Sequence, residues 1–158
     1  MANEMRNRIV AKDRLIRAKI KQLLIHSEDD HDVQSRAMVD FNLLVPMPSS
    51  VNSPQDRKQW TNYNWGTGVN GYDTRLRGIL IEFSTNWSYP LKVAEKLAEK
   101  IPTGWEWFFA DEHVGPSGIV GGFCPSSKGL INVPLEDPIL LACELHGYDY
   151  DQVMDDLA

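Results

Sequence analysis

A glycine-rich run between residues 66 and 71 has the Gly-x-Gly-x-x-Gly spacing of dinucleotide-binding loops. In such loops the glycines follow an apolar strand and open a helix, whose N-terminus meets the phosphates. Here the residues before the run, Asn62 to Asn64, are polar, and the residues after it, Tyr72 to Arg75, begin no apolar helical pattern. We therefore interpret the run as a turn-rich loop and expect no nucleotide at its glycines.

Histidines and carboxylates are grouped in two places, at residues 26–32 and 111–113. Neither group has the spacing of an EF-hand loop or of a His-Glu-x-x-His helix, so hydrated acidic turns are the simpler interpretation. The two cysteines, Cys124 and Cys143, form no Cys-x-x-Cys pair. We expect no catalytic set, no metal and no cofactor from these residues.

The segment from Trp60 to Asp73 alternates large aromatic residues with glycine, asparagine and threonine. One interpretation is a small satellite core folded over a sheet edge. The other is that some rings stay exposed and bind a partner, because Trp and Tyr dominate interface hot spots. Asn64 and Gly66 favour a turn that points the Trp65 ring inward, so we expect Trp65 to be buried and Trp60 and Tyr63 to be more exposed. The candidate partner-binding residues are Trp60, Tyr63, Trp65 and Tyr72.

The net charge of -6 is unevenly distributed along the 158 residues. The first 21 residues hold seven basic and two acidic side chains, whereas residues 133–158 hold seven acidic ones and no Lys or Arg. The acidic balance argues against nucleic-acid binding over the whole surface. Binding through the first helix stays open as an alternative, and its candidate residues are Arg14, Arg17, Lys19 and Lys21. No run approaches the length of a membrane span, and we expect no membrane partner.

Hydrophobic periodicity predicts the elements that carry these residues. Alternation predicts strands near residues 7–11, 39–45, 79–87 and 105–110, with Asn70-Gly71 as a hairpin turn and a loose hairpin in 115–133. Capping residues and apolar stripes predict helices after Asp13, Ser53, Ser88 and Asp137, and a short acidic helix at the end. This order predicts an α+β, ferredoxin-like split βαβ sandwich over residues 1–134, with an aromatic loop insertion. Residues 135–158 are expected to form an acidic helical extension packed on the same domain.

The sheet face turned away from the two helices is expected to be polar. It would carry Asp40, Glu82 and Glu106, and such carboxylates repel the phosphates that RNA-binding sheets attract. A second alternative therefore stays open, a small nucleotide- or metal-binding enzyme built on these carboxylates or on the glycine loops. The remaining residues expected on this face are Asn42, Ser84, Asn86 and Phe108.

Asn64-Trp65-Gly66-Thr67, followed by Asn70 and Tyr72-Asp73, resembles the Asn-Trp-Gly-Thr signature of the Api-type ferredoxin-like proteins. The segments 40–48, 82–90 and 109–112 are similar to the flanking parts of that family. Gly68 and Val69 stand where the family usually has lysine and tryptophan, so no role of that lysine is carried over. The resemblance implies the fold and an origin in bacteriophages, plasmids or pathogenicity islands, and it implies no reaction.

The function expected from these observations is binding rather than catalysis. We expect a non-enzymatic protein of a phage or mobile element that acts in the host bacterial cytoplasm. Its expected partner is a host protein, and one form of this hypothesis is inhibition of a bacterial defence system. Three observations motivate this hypothesis: the sequence has no convincing catalytic set, it has an aromatic segment, and the family that it resembles is encoded by mobile elements.

Overall fold

The computed structural model describes residues 3–26 and 37–158 and has a mixed α+β fold. Its main sheet has six strands in the order β4-β5-β1-β6-β7-β8, with every neighbouring pair antiparallel. A separate two-residue pairing joins β2 to β3. The strands are β1 (Glu4–Ala11), β2 (Ile25–His26), β3 (Met38–Val39), β4 (Tyr72–Arg77), β5 (Leu80–Asn86), β6 (Trp105–Asp111), β7 (Val120–Ser126) and β8 (Gly129–Asn132).

The helices begin where the sequence supplies a capping side chain or a proline. Asp13, Ser53, Asp137 and Asp149 each accept a hydrogen bond from a backbone N–H of the first helical turn. Gly147 ends the fourth helix in the left-handed conformation, with φ of 73°. The helices are α1 (Arg14–Leu24), α2 (Pro54–Asn64), α3 (Leu91–Lys100), α4 (Pro138–His146) and α5 (Tyr150–Leu157).

The main core lies between one sheet face and helices α1 and α3. Alternate residues of β1, β5 and β6 point into it, as the two-residue period of a strand requires. At its centre the fully buried Asn7 links the three strands, because its amide donates to Thr85 Oγ1 at 3.1 Å and its Oδ1 accepts from Trp107 Nε1 at 3.1 Å. The main apolar residues are Met5, Ile9, Ile20, Leu24, Ile81, Phe83, Val93, Leu97, Trp105 and Trp107.

The predicted strand at residues 39–45 is wrong. Only Met38–Val39 pairs as a strand, and Phe41–Leu43 forms a 3-10 helix that the Asp40 side chain caps at the Asn42 N–H. Phe41 and Leu44 are both buried, so the apolar residues that suggested alternation pack from a compact turn instead. A local hydrogen bond from a short polar side chain outweighs a weak strand preference here.

The predicted hairpin turn at Asn70-Gly71 is also wrong. The hairpin turn lies one strand later, between β4 and β5, where Gly78 has φ of 56°. Asn70 instead holds the Phe41 segment, since its Oδ1 accepts the Phe41 N–H at 2.9 Å and its amide donates to Asp40 Oδ1 at 2.9 Å. The sequence prediction therefore missed β4, which pairs with β5 at the edge of the sheet.

The second face of the sheet is not open over its whole width. Helix α4 packs on it beside β6, and Ala110, Ala142 and Leu145 form a second small core there. Helix α5 contacts α4 and has no buried side chain. The short acidic helix predicted at the end is therefore confirmed, but α4 covers a face that the sequence reading left exposed.

Candidate functional site

The Asn-Trp-Gly-Thr segment forms the end of α2 and the loop that follows it. Trp65 is only 3% exposed, and its Nε1 donates to the Val45 carbonyl oxygen at 2.9 Å. Its ring contacts the edges of Phe41 and Trp60, with centroids 5.5 and 5.7 Å away. The expected burial of Trp65 is confirmed, and its ring packs on the Phe41 turn.

The four candidate partner-binding residues are not equivalent. The aromatic segment is largely helical, because α2 continues to Asn64 and holds both Trp60 and Tyr63. Trp60 is half-buried against the core, and Trp65 is buried, so neither presents a free ring. Tyr72 is partly exposed and donates its hydroxyl to Asn86 Oδ1 at 2.6 Å. Tyr63 is 79% exposed, and it alone of the four keeps its ring in solvent.

The loop after α2 is fastened to the junction between β5 and α3. Gly66 has φ of 83°, which a glycine adopts readily, and a Cβ at this position would lie 3.0 Å from the Leu91 backbone nitrogen. Ser88 Oγ donates to the Gly66 carbonyl at 2.7 Å, and Thr67 Oγ1 donates to the Asn86 carbonyl at 3.2 Å. The Asn-Trp-Gly-Thr residues thus join α2 to the sheet.

This junction holds Trp87 in a conformation that side-chain-bearing residues rarely adopt. Trp87 has φ of 68°, and the Ser88 N–H donates across it to the Asn86 carbonyl at 2.8 Å, which makes a γ-turn of positive φ. Such a residue costs about 1–3 kcal/mol and persists only where its surroundings fix it. The Trp87 N–H donates to the Asn3 carbonyl at 2.7 Å, and Thr85 Oγ1 donates to the Ser88 carbonyl at 2.7 Å.

The Trp87 turn exposes a large aromatic ring that the predicted strand at residues 79–87 included. Trp87 is 63% exposed and lies beyond the last residue of β5, whereas Ile81, Phe83 and Thr85 within that strand are buried. Pro90 was a signal that the strand must end nearby, but strand alternation does not reveal a residue of positive φ. Trp87 is the functional candidate that sequence reasoning missed.

A cleft of about 530 Å³ lies between α2 and the Trp87 turn. Helix α2 supplies Arg57, Lys58 and Asn62, and the turn supplies Asn86 and Trp87. No Asp or Glu is among the lining residues. Within the described ranges 3–26 and 37–158, neither Arg57 nor Lys58 forms a salt bridge. The cleft is thus locally cationic in a protein of net charge -6.

The three carboxylates expected on one polar face do not form a cluster. Asp40 belongs to the Phe41 turn, where its Oδ2 lies 2.9 Å from His26 Nε2, and Glu106 is exposed on β6. Glu82 is buried, and its two oxygens accept hydrogen bonds from Arg8 Nε at 3.2 Å and Arg77 Nη2 at 2.5 Å. The sequence reading overlooked the arginines that β1 and β4 place on this face.

These contacts lower the pKa of Glu82. Burial by itself would raise the pKa, but the hydrogen bond from Arg77 and the charge of Arg8 outweigh it. Asp40 shows the same balance, because hydrogen bonds from Asn70 and Asn42 overcome burial and lower its pKa. Both groups are therefore ionised and committed to structural partners, which is the opposite of a carboxyl group tuned for proton transfer near neutral pH.

The basic residues of α1 do not form one face. Arg14, Arg17 and Lys21 follow a single helical stripe, whereas Lys19 lies on another side of the helix. Arg14 and Lys19 are exposed, and Arg17 and Lys21 are half-buried. Nucleic-acid binding through this helix stays a prediction, with at most three of its four residues on a common surface.

The other motifs singled out from the sequence have structural roles or lie outside the described residues. The Gly66–Gly71 run follows a helix and precedes a strand, the reverse of the order that a dinucleotide loop needs. Asp111 accepts the backbone N–H groups of His113 and Ile119 at 3.0 and 3.1 Å, so it holds the loop before β7. His31 and the neighbouring acidic residues lie outside the described residues. Among those described, no group of three or more His, Cys, Asp or Glu is arranged for a metal ion.

Comparisons with known proteins add no family assignment. No family model, no curated protein and no solved structure matches the chain. In the described part of the chain, no helix has the length and apolar character needed to cross a membrane.

Proposed function

We propose that this is a non-enzymatic protein of a phage or other mobile element that acts in the host cytoplasm by binding a host protein. Inhibition of a bacterial defence system is the specific form of the proposal. Support comes from the structural pairing of Glu82, Asp40 and Asp111, which uses polar groups that a catalytic site would need free. The resemblance carried by Asn64 to Thr67 supports the mobile-element origin.

The proposal includes a ferredoxin-like topology for the main domain. Four neighbouring strands support it, because β4, β5, β1 and β6 are antiparallel throughout. Along the chain, α1 follows β1 and α3 joins β5 to β6, as in two split βαβ units. Both helices pack into the same core. In this proposal β7 and β8 extend the sheet beyond β6, and α2 belongs to an insertion between α1 and β4.

The observation that carries the binding proposal is the exposure of Tyr63. This residue lies on α2, a helix that Ser53 caps and that Trp60 and Trp65 anchor to the core, so its ring is presented from a rigid support. No ring within 3–26 or 37–158 stacks on it. A tyrosine on a rigid element gives a partner a large contact area at small entropic cost. We assign the outer face of α2, centred on Tyr63, as the partner-binding surface.

The test is affinity capture from bacterial lysate followed by reconstitution with the purified captured protein. Tyr63→Ala should weaken the reconstituted complex by about 30-fold or more, the effect of a hot-spot residue. Tyr148→Ala is the matched control, because Tyr148 is an exposed tyrosine near the other end of the chain, and it should bind like the wild type. Failure to capture any stoichiometric host protein, or unchanged affinity in Tyr63→Ala, would refute the proposal.

A gel-shift assay at low salt separates this proposal from the nucleic-acid alternative. Binding through Arg14, Arg17 and Lys21 would shift DNA or RNA and would weaken steeply as salt rises. Under the protein-binding proposal, the purified protein shifts neither single strands nor duplexes.

A further inference from the structure

We propose that the cleft between α2 and the Trp87 turn binds a nucleoside phosphate. This site is separate from the surface centred on Tyr63 and does not rest on the proposed function. On α2, Arg57 and Lys58 face the cleft, whereas Tyr63 lies about half a turn away from the line of Lys58 and Thr61. The two sites can therefore be tested by different substitutions.

The first step of the argument is the shape of the cleft. Its volume of about 530 Å³ lies within the range of pockets that hold small molecules. The walls come from separate elements that hydrogen bonds hold together: Thr61 Oγ1 on α2 donates to the Gly68 carbonyl at 3.1 Å, and Thr67 Oγ1 donates to Asn86. The cleft is thus built by the fold and does not depend on one loop.

The second step is the conformation of Trp87. The fold holds this residue at φ of 68°, a strained region for tryptophan, and thereby exposes the indole at the cleft. Glycine would satisfy the same turn without strain. Strained residues that the surroundings fix in this way concentrate at ligand sites. An exposed indole face is a stacking platform for a planar ring, as in proteins that bind single-stranded nucleic acids.

The third step is the chemistry around the indole. Arg57 and Lys58 supply two positive charges and the donors that phosphate oxygens accept. Asn62 Nδ2 donates to the Lys58 carbonyl at 2.9 Å, and Asn86 Oδ1 accepts from the Tyr72 hydroxyl. The acceptor Asn62 Oδ1 and the donor Asn86 Nδ2 are left to meet the polar edge of a base. A planar base, a phosphate and polar base edges occur together in a nucleoside phosphate. The net charge of -6 disfavours a long polyanion, so the inferred ligand is a mononucleotide and not a nucleic-acid strand.

The test is titration with AMP, GMP, CMP and UMP, followed by tryptophan fluorescence and calorimetry. Trp87 is the most exposed tryptophan described, since Trp65, Trp105 and Trp107 are buried and Trp60 is half-buried. We expect saturable quenching by at least one nucleotide, tenfold or more weaker binding in Arg57→Gln/Lys58→Gln, and no loss of affinity in Tyr63→Ala. Inorganic phosphate alone should bind at least tenfold more weakly than the nucleotide.

Trp87→Gly is the decisive variant because it separates binding from folding. Glycine relieves the positive φ, so the melting temperature should be no lower than that of the wild type, while nucleotide affinity falls at least tenfold. Trp87→Phe keeps an aromatic face and should retain measurable binding. If none of the four nucleotides binds saturably up to about 10 mM, about ten times a Kd of 1 mM, the inference is overturned. Undiminished binding in Trp87→Gly, or phosphate binding as tightly as the nucleotide, would also overturn it.

Discussion

Trp65 fixes the end of α2 to the protein through one hydrogen bond and two aromatic contacts. Trp65→Ala should therefore cost about 3–5 kcal/mol of unfolding free energy, as large aromatic truncations in cores do. Urea denaturation measures this loss. Tyr63→Ala, two residues earlier on the same helix, is the control and should change the free energy by less than about 0.5 kcal/mol, because the ring is exposed. Equal melts for Trp65→Ala and the wild type would show that the indole is not structural.

Gly71, just before β4, allows the chain to approach Val39 of β3 and Phe83 of β5 closely. A Cβ built on Gly71 would lie 2.7 Å from Val39 Cγ1 and 3.1 Å from Phe83 Cδ2, and both neighbours are buried. Gly71→Ala should thus destabilise the protein by about 1–3 kcal/mol through overpacking. Gly68→Ala is the matched control, since its Cβ would meet nothing closer than Asn62 Oδ1 at 3.4 Å. If the two alanine variants have the same denaturation midpoint, the close approach carries no cost.

The two C-terminal helices make different contributions to the fold. Helix α4 buries Ala142 and Leu145 against the sheet, whereas α5 buries no side chain. A chain that ends at Tyr150 retains both partners of the hydrogen bond from Tyr150 to Asp137. It should lose about 1 kcal/mol, which corresponds to about 2–4 °C in Tm for a protein of this size.

Leu145→Ala serves as the comparison for this truncation. It removes a buried side chain from the α4 interface and should cost about 2–5 kcal/mol. Scanning calorimetry of both proteins measures the difference. If the truncated chain melts at as low a temperature as Leu145→Ala, α5 contributes more to stability than its exposed side chains suggest.

The acid stability of the whole molecule follows from its paired carboxylates. The pKa values of Glu82, Asp40 and Asp137 are all lowered; for Asp137 the first cause is the hydrogen bond from Tyr150. A carboxyl group with a lowered pKa in the folded state stabilises above its unfolded pKa, which is 3.8 for Asp and 4.5 for Glu here. That stability is lost as pH falls from the unfolded pKa values through the lower folded ones. The unfolding free energy should therefore decrease from about pH 5 to about pH 3, a range that brackets the unfolded pKa values.

Glu82→Gln isolates one part of this dependence. It should cost about 3 kcal/mol at pH 7, because it leaves Arg8 without its buried partner, and it should reduce the loss of stability between pH 5 and pH 3. Urea titrations at both pH values measure the two effects. An unchanged pH dependence in Glu82→Gln would contradict the assignment of a lowered pKa to this residue.

The sequence by itself determined the features that depend on neighbours along the chain. Asp13, Ser53 and Asp137 cap the helices they were expected to cap, and alternation located β1, β5 and β6, because caps and strand periods are local properties. The burial of Trp65 was also predicted, from the turn that Asn64 and Gly66 favour.

Only the tertiary structure decided where those elements meet. The segment from Val39 to Val45 has the alternation of a strand. Asn70, about thirty residues later in the chain, nevertheless holds it as a turn through two hydrogen bonds. Trp87 ends a regular strand pattern. Residues 86–88 nevertheless form a turn that exposes the Trp87 ring, because hydrogen bonds fix this turn to Asn3, Gly66 and Thr67. The arginines that pair with Glu82 come from β1 and β4. Such contacts between distant segments leave no periodic signal, and so the cleft and its charge were not visible in the sequence.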